Sequence, residues 1–97
     1  MNNYELTVIL RNKEVEPLKE KIKGILQKHG AIITEEAPWG VKRLAYQIDN
    51  EKEGYYQFMY VDSPPEAIDK IIHEFKLNRD ILRQLFVKLK KKKVKSE

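Results

Sequence analysis

Cysteine is absent from this chain of 97 residues. That excludes disulfides, thiolate metal sites and cysteine nucleophiles together, and suits a reducing cytoplasm. Long apolar runs are also missing: nowhere do about eighteen apolar residues follow one another, so no helix is expected to span a membrane. The start, Met1-Asn2-Asn3-Tyr4-Glu5, lacks the basic residues and apolar stretch of a signal peptide. The four glycines are scattered, and neither a GxGxxG nor a GxxxxGK phosphate loop occurs. Ser63 and Ser96 are the only serines, and His29 and His73 the only histidines, so neither a nucleophile–base pair nor a metal set emerges. Glu35 and Glu36 are adjacent, and in an extended segment they point to opposite faces, which rules out a paired acid and base. An acylphosphatase-type enzyme needs a phosphate-cradling loop after the first strand; Arg11-Asn12-Lys13-Glu14 offers no glycine for it. No catalytic set, cofactor, metal or small-molecule substrate is therefore expected.

The length suits one compact domain, which buries roughly two thirds of its unfolded surface. Charge is distributed unevenly. Residues 1–75 hold ten Lys/Arg and thirteen Asp/Glu, a net of −3, whereas residues 76–97 hold nine and two, a net of +7. A near-neutral body with a strongly basic end points to a polyanionic partner met from one side.

Apolar residues alternate from Tyr4 to Leu10, with Ile9 the exception, and predict a strand. A helix follows, with Pro17 in its first turn and Leu18, Ile22, Ile25, Leu26 and His29 at helical spacing; Gly30 is its stop. Ala31–Glu36 reads as extended, Pro38-Trp39-Gly40 interrupts it, and Val41–Ile48 resumes. One long strand bent at Trp39-Gly40, or two short ones, would fit. Residues 49–54 read as a polar turn and Tyr55–Val61 as a strand pairing with the preceding run. Ser63-Pro64-Pro65-Glu66 predicts a capping box, with Ser63 as cap and Pro64 as first helical residue. Ile68, Ile71, Ile72 and Phe75 mark one helical face, and Ile81–Leu89 is a last strand. The order β-α-β-β-α-β predicts an α+β, ferredoxin-like split βαβ fold: a four-stranded antiparallel sheet with two helices on one face. Residues 1–89 would form this domain and residues 90–97 a basic tail too like-charged to pack.

Helices on one face leave the other to water. On the third strand Tyr56, Phe58 and Tyr60 point one way, and Tyr55, Met59 and Val61 the other. Gln57 suggests that the second set faces outward, and either register leaves large apolar side chains uncovered. Trp39, Tyr55, Tyr56, Phe58, Met59, Tyr60 and Phe86 make a candidate protein-docking surface. The candidate phosphate-binding residues are Lys42, Arg43, Arg79, Arg83, Lys88 and the tail lysines Lys90, Lys91, Lys92 and Lys93, with arginine weighted for bidentate contact. The first and last strands are expected on opposite sides of the sheet's centre, with Lys88 and the tail extending the edge of Arg79 and Arg83. Whether Lys42-Arg43 and Arg79-Arg83 form one patch stays open.

Met1-Asn2-Asn3-Tyr4-Glu5-Leu6-Thr7-Val8-Ile9-Leu10, Trp39-Gly40-Val41-Lys42-Arg43-Leu44-Ala45-Tyr46-Gln47-Ile48 and Gly54-Tyr55-Tyr56 resemble the family of ribosomal protein six of the bacterial small subunit. The resemblance runs through Arg79-Asp80 and the closing strand. It implies a structural, cytoplasmic ribosomal protein that pairs with small-subunit ribosomal protein eighteen. With it, the protein would bind the central domain of small-subunit ribosomal RNA during assembly. Lys42, Arg43, Arg79 and Arg83 match basic positions of that family, while the Lys90–Lys95 run maps to none. A proline often follows the Leu-Ala-Tyr string there; Gln47 stands in its place.

Two rivals share the element order. A single-stranded RNA binder of the RRM type would stack bases on aromatics of the third strand, within Gly54-Tyr55-Tyr56-Gln57-Phe58-Met59-Tyr60, but Gln57 falls where an aromatic is expected and Glu53 where a basic residue is. A self-associating regulatory domain would bury its open face in a homodimer.

Overall fold

The computed structural model describes residues 1–48 and 50–89. The strand β1 (Asn2–Leu10) carries Tyr4, Leu6, Val8 and Leu10 on one face, all buried. Helix α1 (Val15–Lys28) begins after Glu14 in the left-handed conformation, with no side-chain cap. It buries Leu18, Ile22, Ile25 and Leu26. Its end is a Schellman closure: Gly30, at φ 83°, donates to the Gln27 carbonyl at 3.0 Å and Ala31 to that of Leu26 at 2.9 Å.

Strand β2 (Ile32–Ile48) is one strand rather than two, with register shifts at Ile33/Glu35, Pro38/Gly40 and Arg43/Ile48. Gly40 sits at φ 84°, a backbone that L side chains resist, so the strand steps outward at Trp39 without breaking. The turn to β3 (Glu51–Ser63) is tighter than the expected six polar residues: Asn50 is left-handed at φ 66°, and Glu51–Gly54 already belong to the strand. Asparagine tolerates that conformation and lets the hairpin close early.

Ser63 does not cap the second helix. It ends β3, fully buried, and its hydroxyl donates to the Pro64 carbonyl at 3.0 Å. Pro65 forces Pro64 into an extended conformation, at ψ 136°, so helical geometry starts only at Pro65. A 3₁₀ turn (Pro65–Ala67) then runs into α2 (Ile68–Lys76), which buries Ile71 and Phe75. Strand β4 (Ile81–Lys88) completes the domain.

The sheet order is β2-β3-β1-β4, antiparallel throughout, with both helices on one face. The expectation that β1 and β4 lie apart is wrong: they are neighbours. Each helical crossover joins parallel strands, and the gap between β3 and β4 is filled by β1.

The outward face of β3 is the reverse of the one Gln57 suggested. Gln57, Met59 and Val61 lie under the helices at 1%, 1% and 0% exposure. The Nε2 of Gln57 donates to Glu36 at 3.1 Å, which satisfies one half of the buried amide, while its Oε1 has no partner among the described residues. Tyr55 and Phe86 also pack against the core on that side, with Phe86 stacked parallel to Phe75. Tyr55, Met59 and Phe86 are therefore removed from the proposed docking surface. Their alternation was read correctly; the helices claimed the other face.

Candidate functional site

Two surfaces hold the remaining candidates. The first is the end of the sheet where β1 stops and β4 starts. Arg11 organises it. Its side chain pairs with Glu51 of the β2–β3 hairpin and with Asp80 at 3.1 Å, and donates to the Arg79 carbonyl at 3.3 Å. Its backbone N–H reaches the Asp80 carbonyl at 2.8 Å, and Asn78 Oδ1 accepts from the Asp80 N–H at 2.9 Å. Three chain segments are thus clasped by one guanidinium. Around the clasp lie two clefts, one lined by Asn12, Arg43, Asn50, Glu51, Lys52 and Glu53, the other by Arg11, Lys13, Glu14, Arg79 and Asp80.

Arg43 and Arg79 therefore stand at the same end of the molecule, exposed, although they come from opposite edges of the sheet. Among the described residues neither guanidinium forms an ion pair, whereas the acids Glu51 and Asp80 beside them are engaged by Arg11. Lys42 lies beside Arg43, opposite Gly54 on β3. Arg83 is paired across from Ile9 and lies over the Tyr46 ring at 5.5 Å, so it faces the open side of the sheet. That contact carries the Leu44–Ile48 arm of β2 over to β4, and Leu44 is buried on the way, beside Gly54.

Lys88 lies on β4, at the sheet's edge, as expected. It pairs with Tyr4 at the far end of β4, five residues and roughly 17 Å from Arg83. It shares the edge strand with Arg83 but stands apart from the Arg43–Arg79 end. Lys90, Lys91, Lys92 and Lys93 lie outside the described residues.

The second surface is the open face. Tyr56, Phe58 and Tyr60 line it from β3, and Trp39 stacks on Phe58 with ring centroids 5.3 Å apart and planes 3° from parallel. Phe58 meets Tyr60 edge to face at 5.2 Å. Trp39, Leu85 and Val87 are 53%, 58% and 45% exposed. Ile32 and Tyr46 are also exposed. Sequence reasoning missed Ile32, Tyr46, Leu85 and Val87. The strict alternation of Leu85 and Val87 against Gln84 and Phe86 marked them as a set, but nothing local says which set meets the helices.

Comparison with known proteins places this arrangement. Residues 3–88 match the family model of "Ribosomal protein S6". The small ribosomal subunit protein bS6 of Leptospira biflexa is 39% identical over 88 residues, covering 91% of this chain and 97% of that protein. That of Bacteroides thetaiotaomicron is 39% identical over 95 residues, 94% of this chain and 83% of its own length. The crystal structure of 30S ribosomal protein S6 from Thermotoga maritima superposes with a TM-score of 0.83 at 22% identity, over 91% of this chain and 87% of that one. The same fold is thus reached from structure as well as from sequence.

Proposed function

The chain belongs to the ribosomal protein S6 family, and from that premise we propose that it binds small-subunit ribosomal RNA with its basic end and a second ribosomal protein with its open sheet face. The protein is a structural constituent of the bacterial small ribosomal subunit, works in the cytoplasm, and is not an enzyme. In the finer reading it joins ribosomal protein eighteen, and the pair binds the central domain of the ribosomal RNA during assembly. The observation that carries the RNA half is the meeting of Arg43 and Arg79 at one end of the sheet, both exposed and unpaired among the described residues. Guanidinium groups free of acid partners are available for bidentate phosphate contact. Lys42, Arg83 and Lys88 are weaker candidates, Arg83 because it lies over Tyr46 and Lys88 because of its distance. The tail lysines would contribute a diffuse field. The protein half rests on Trp39, Tyr56, Phe58 and Tyr60, joined by Leu85 and Val87.

Band-shift titration of the central-domain RNA with this protein and protein eighteen tests the reading. Arg43→Ala and Arg79→Ala should each weaken association and reduce the slope of log affinity against log salt by about 1, with the thermal midpoint nearly unchanged. Binding that is indifferent to both substitutions would remove the basic end from the RNA contact.

A further inference from the structure

The open face is not uniformly apolar, and its charges are arranged in register. Strand pairing sets its side chains in rows across β2, β3, β1 and β4. One row reads Glu35, Tyr60, Glu5, Val87; the next reads Ala37, Phe58, Thr7, Leu85. Glu5 and Glu35 each stand one strand from Tyr60, so their Cα atoms are roughly 10 Å apart with the phenol ring between them. Among the described residues neither carboxylate has a hydrogen-bond or ion-pair partner. The contrast with Glu36 is direct: on the helix face it meets Lys23 at 3.2 Å and accepts from Gln57. The row above holds exposed Leu85, and Trp39 stacks on Phe58.

Covering this face removes two carboxylates from water as well as the apolar rings. Desolvating an ionised carboxylate is unfavourable unless the covering group brings the opposite charge. A nucleic acid stacked on Phe58 and Trp39 would bring phosphates toward the acid row, like charge against like. A protein segment with an arginine or lysine among apolar residues satisfies both the rings and the acids. We infer that the Glu5–Tyr60–Glu35 row receives one basic side chain of the partner protein, its cation over the Tyr60 ring and between the two carboxylates. The apolar residues flanking that side chain would cover Phe58, Trp39 and Leu85. The inference rests on the reading of the open face as a protein-docking surface. It adds to that reading the charge of the partner and the place where the charge lands. The chain's own residues after Leu89 are poor candidates for this role: they supply lysines, but no aromatic and only Val94 as an aliphatic.

Trp39 is the only tryptophan and is 53% exposed on this face, so its fluorescence reports cover directly. The full chain is titrated with purified protein eighteen at low and high salt, alongside Glu5→Gln, Glu35→Gln and the double variant. Native protein should shift the Trp39 emission. The double variant should bind roughly tenfold more weakly, with a flatter salt dependence and an unchanged thermal midpoint. Glu35→Lys, on an edge strand, should weaken binding further while remaining folded. A double variant with native affinity and native salt dependence overturns the acid-row inference and leaves protein docking standing. No Trp39 response of the native chain to protein eighteen overturns the docking reading itself. Two results would put a different occupant on the face and overturn both: quenching by a short single-stranded RNA that tightens in the double variant, or a stable native dimer that buries Trp39.

Discussion

At Gly24, in the middle of α1, an added Cβ would meet nothing within 4 Å; at Gly54, on β3, it would lie 2.5 Å from Ile9 Cγ2 and 3.5 Å from Leu44 Cδ2. The same substitution should therefore act in opposite directions. Alanine at Gly24 lowers the backbone entropy of the unfolded chain and adds no clash. It should stabilise by about 1 kcal/mol, raising the thermal midpoint by roughly 4–8 °C. Alanine at Gly54 pushes a methyl into the β-branched side chain of Ile9, which cannot swing aside as a long flexible one would. It should cost about 1–3 kcal/mol. Calorimetry of the two variants checks both signs, and a stabilised Gly54→Ala would mean that Ile9 is free to repack. The glycine at 24 had no explanation in the sequence and finds no packing reason in the fold.

Helices α1 and α2 are tied by polar contacts as well as by the core beneath them. His29 Nε2 hydrogen-bonds Glu74, and Lys28 Nζ reaches its carboxylate at 3.2 Å. The hydrogen bond from His29, and after it that from Lys28, hold the Glu74 carboxyl below its ordinary value of 4.5. A depressed carboxyl contributes stability that is present above the unfolded value and is lost as pH falls through the folded one. Glu74→Gln should therefore lower the thermal midpoint at neutral pH. Its difference from the native protein should shrink below pH 4.5 and vanish once the native carboxylate is protonated. A difference that persists unchanged into strong acid would assign the contact to packing alone. These helices were legible in the sequence because Leu18, Ile22, Ile25 and Leu26 on one, and Ile71 and Phe75 on the other, repeat at helical spacing. The start of α2 was not, since two consecutive prolines shift the first helical residue to Pro65 and leave Ser63 in the strand. The outward face of β3 was not legible either. Both of its faces carry large apolar side chains, and its one misleading signal, Gln57, is a polar group that finds Glu36 only in three dimensions.

Across the whole molecule, an acidic body holds at one end two arginines that form no ion pair among the described residues. Residues 1–75 carry a net charge of −3, yet among the described residues Arg43 and Arg79 form no ion pair: Arg11 engages Glu51 and Asp80, and Glu53, directly across from Arg43, is not paired with it. Lys42-Arg43 and Arg79 were legible as basic positions, but their meeting was not, since it depends on β2 finishing and β4 starting at the same end of the sheet and on the Arg11 clasp between them. Arg11 is thus a positioning residue: it fixes the hairpin bearing Arg43 and the turn bearing Arg79, and it engages two of the acids beside them, Glu51 and Asp80. Its own side chain is 18% exposed and its partners 35% and 53%, so solvent screening keeps the ion pairs modest. Removing the guanidinium also takes away the donor to the Arg79 carbonyl, and Arg11→Gln should cost on the order of 1–2 kcal/mol in all. The thermal midpoint should fall accordingly, and Glu51 and Asp80 become free to turn toward Arg43 and Arg79. RNA association should then weaken even though no proposed phosphate contact has been deleted. Arg43→Ala should show the opposite combination, an intact midpoint with a reduced salt slope. Measuring both quantities for both variants separates a group that touches phosphate from one that keeps others available to do so. A reduced slope with an unchanged midpoint in Arg11→Gln would place Arg11 among the phosphate contacts.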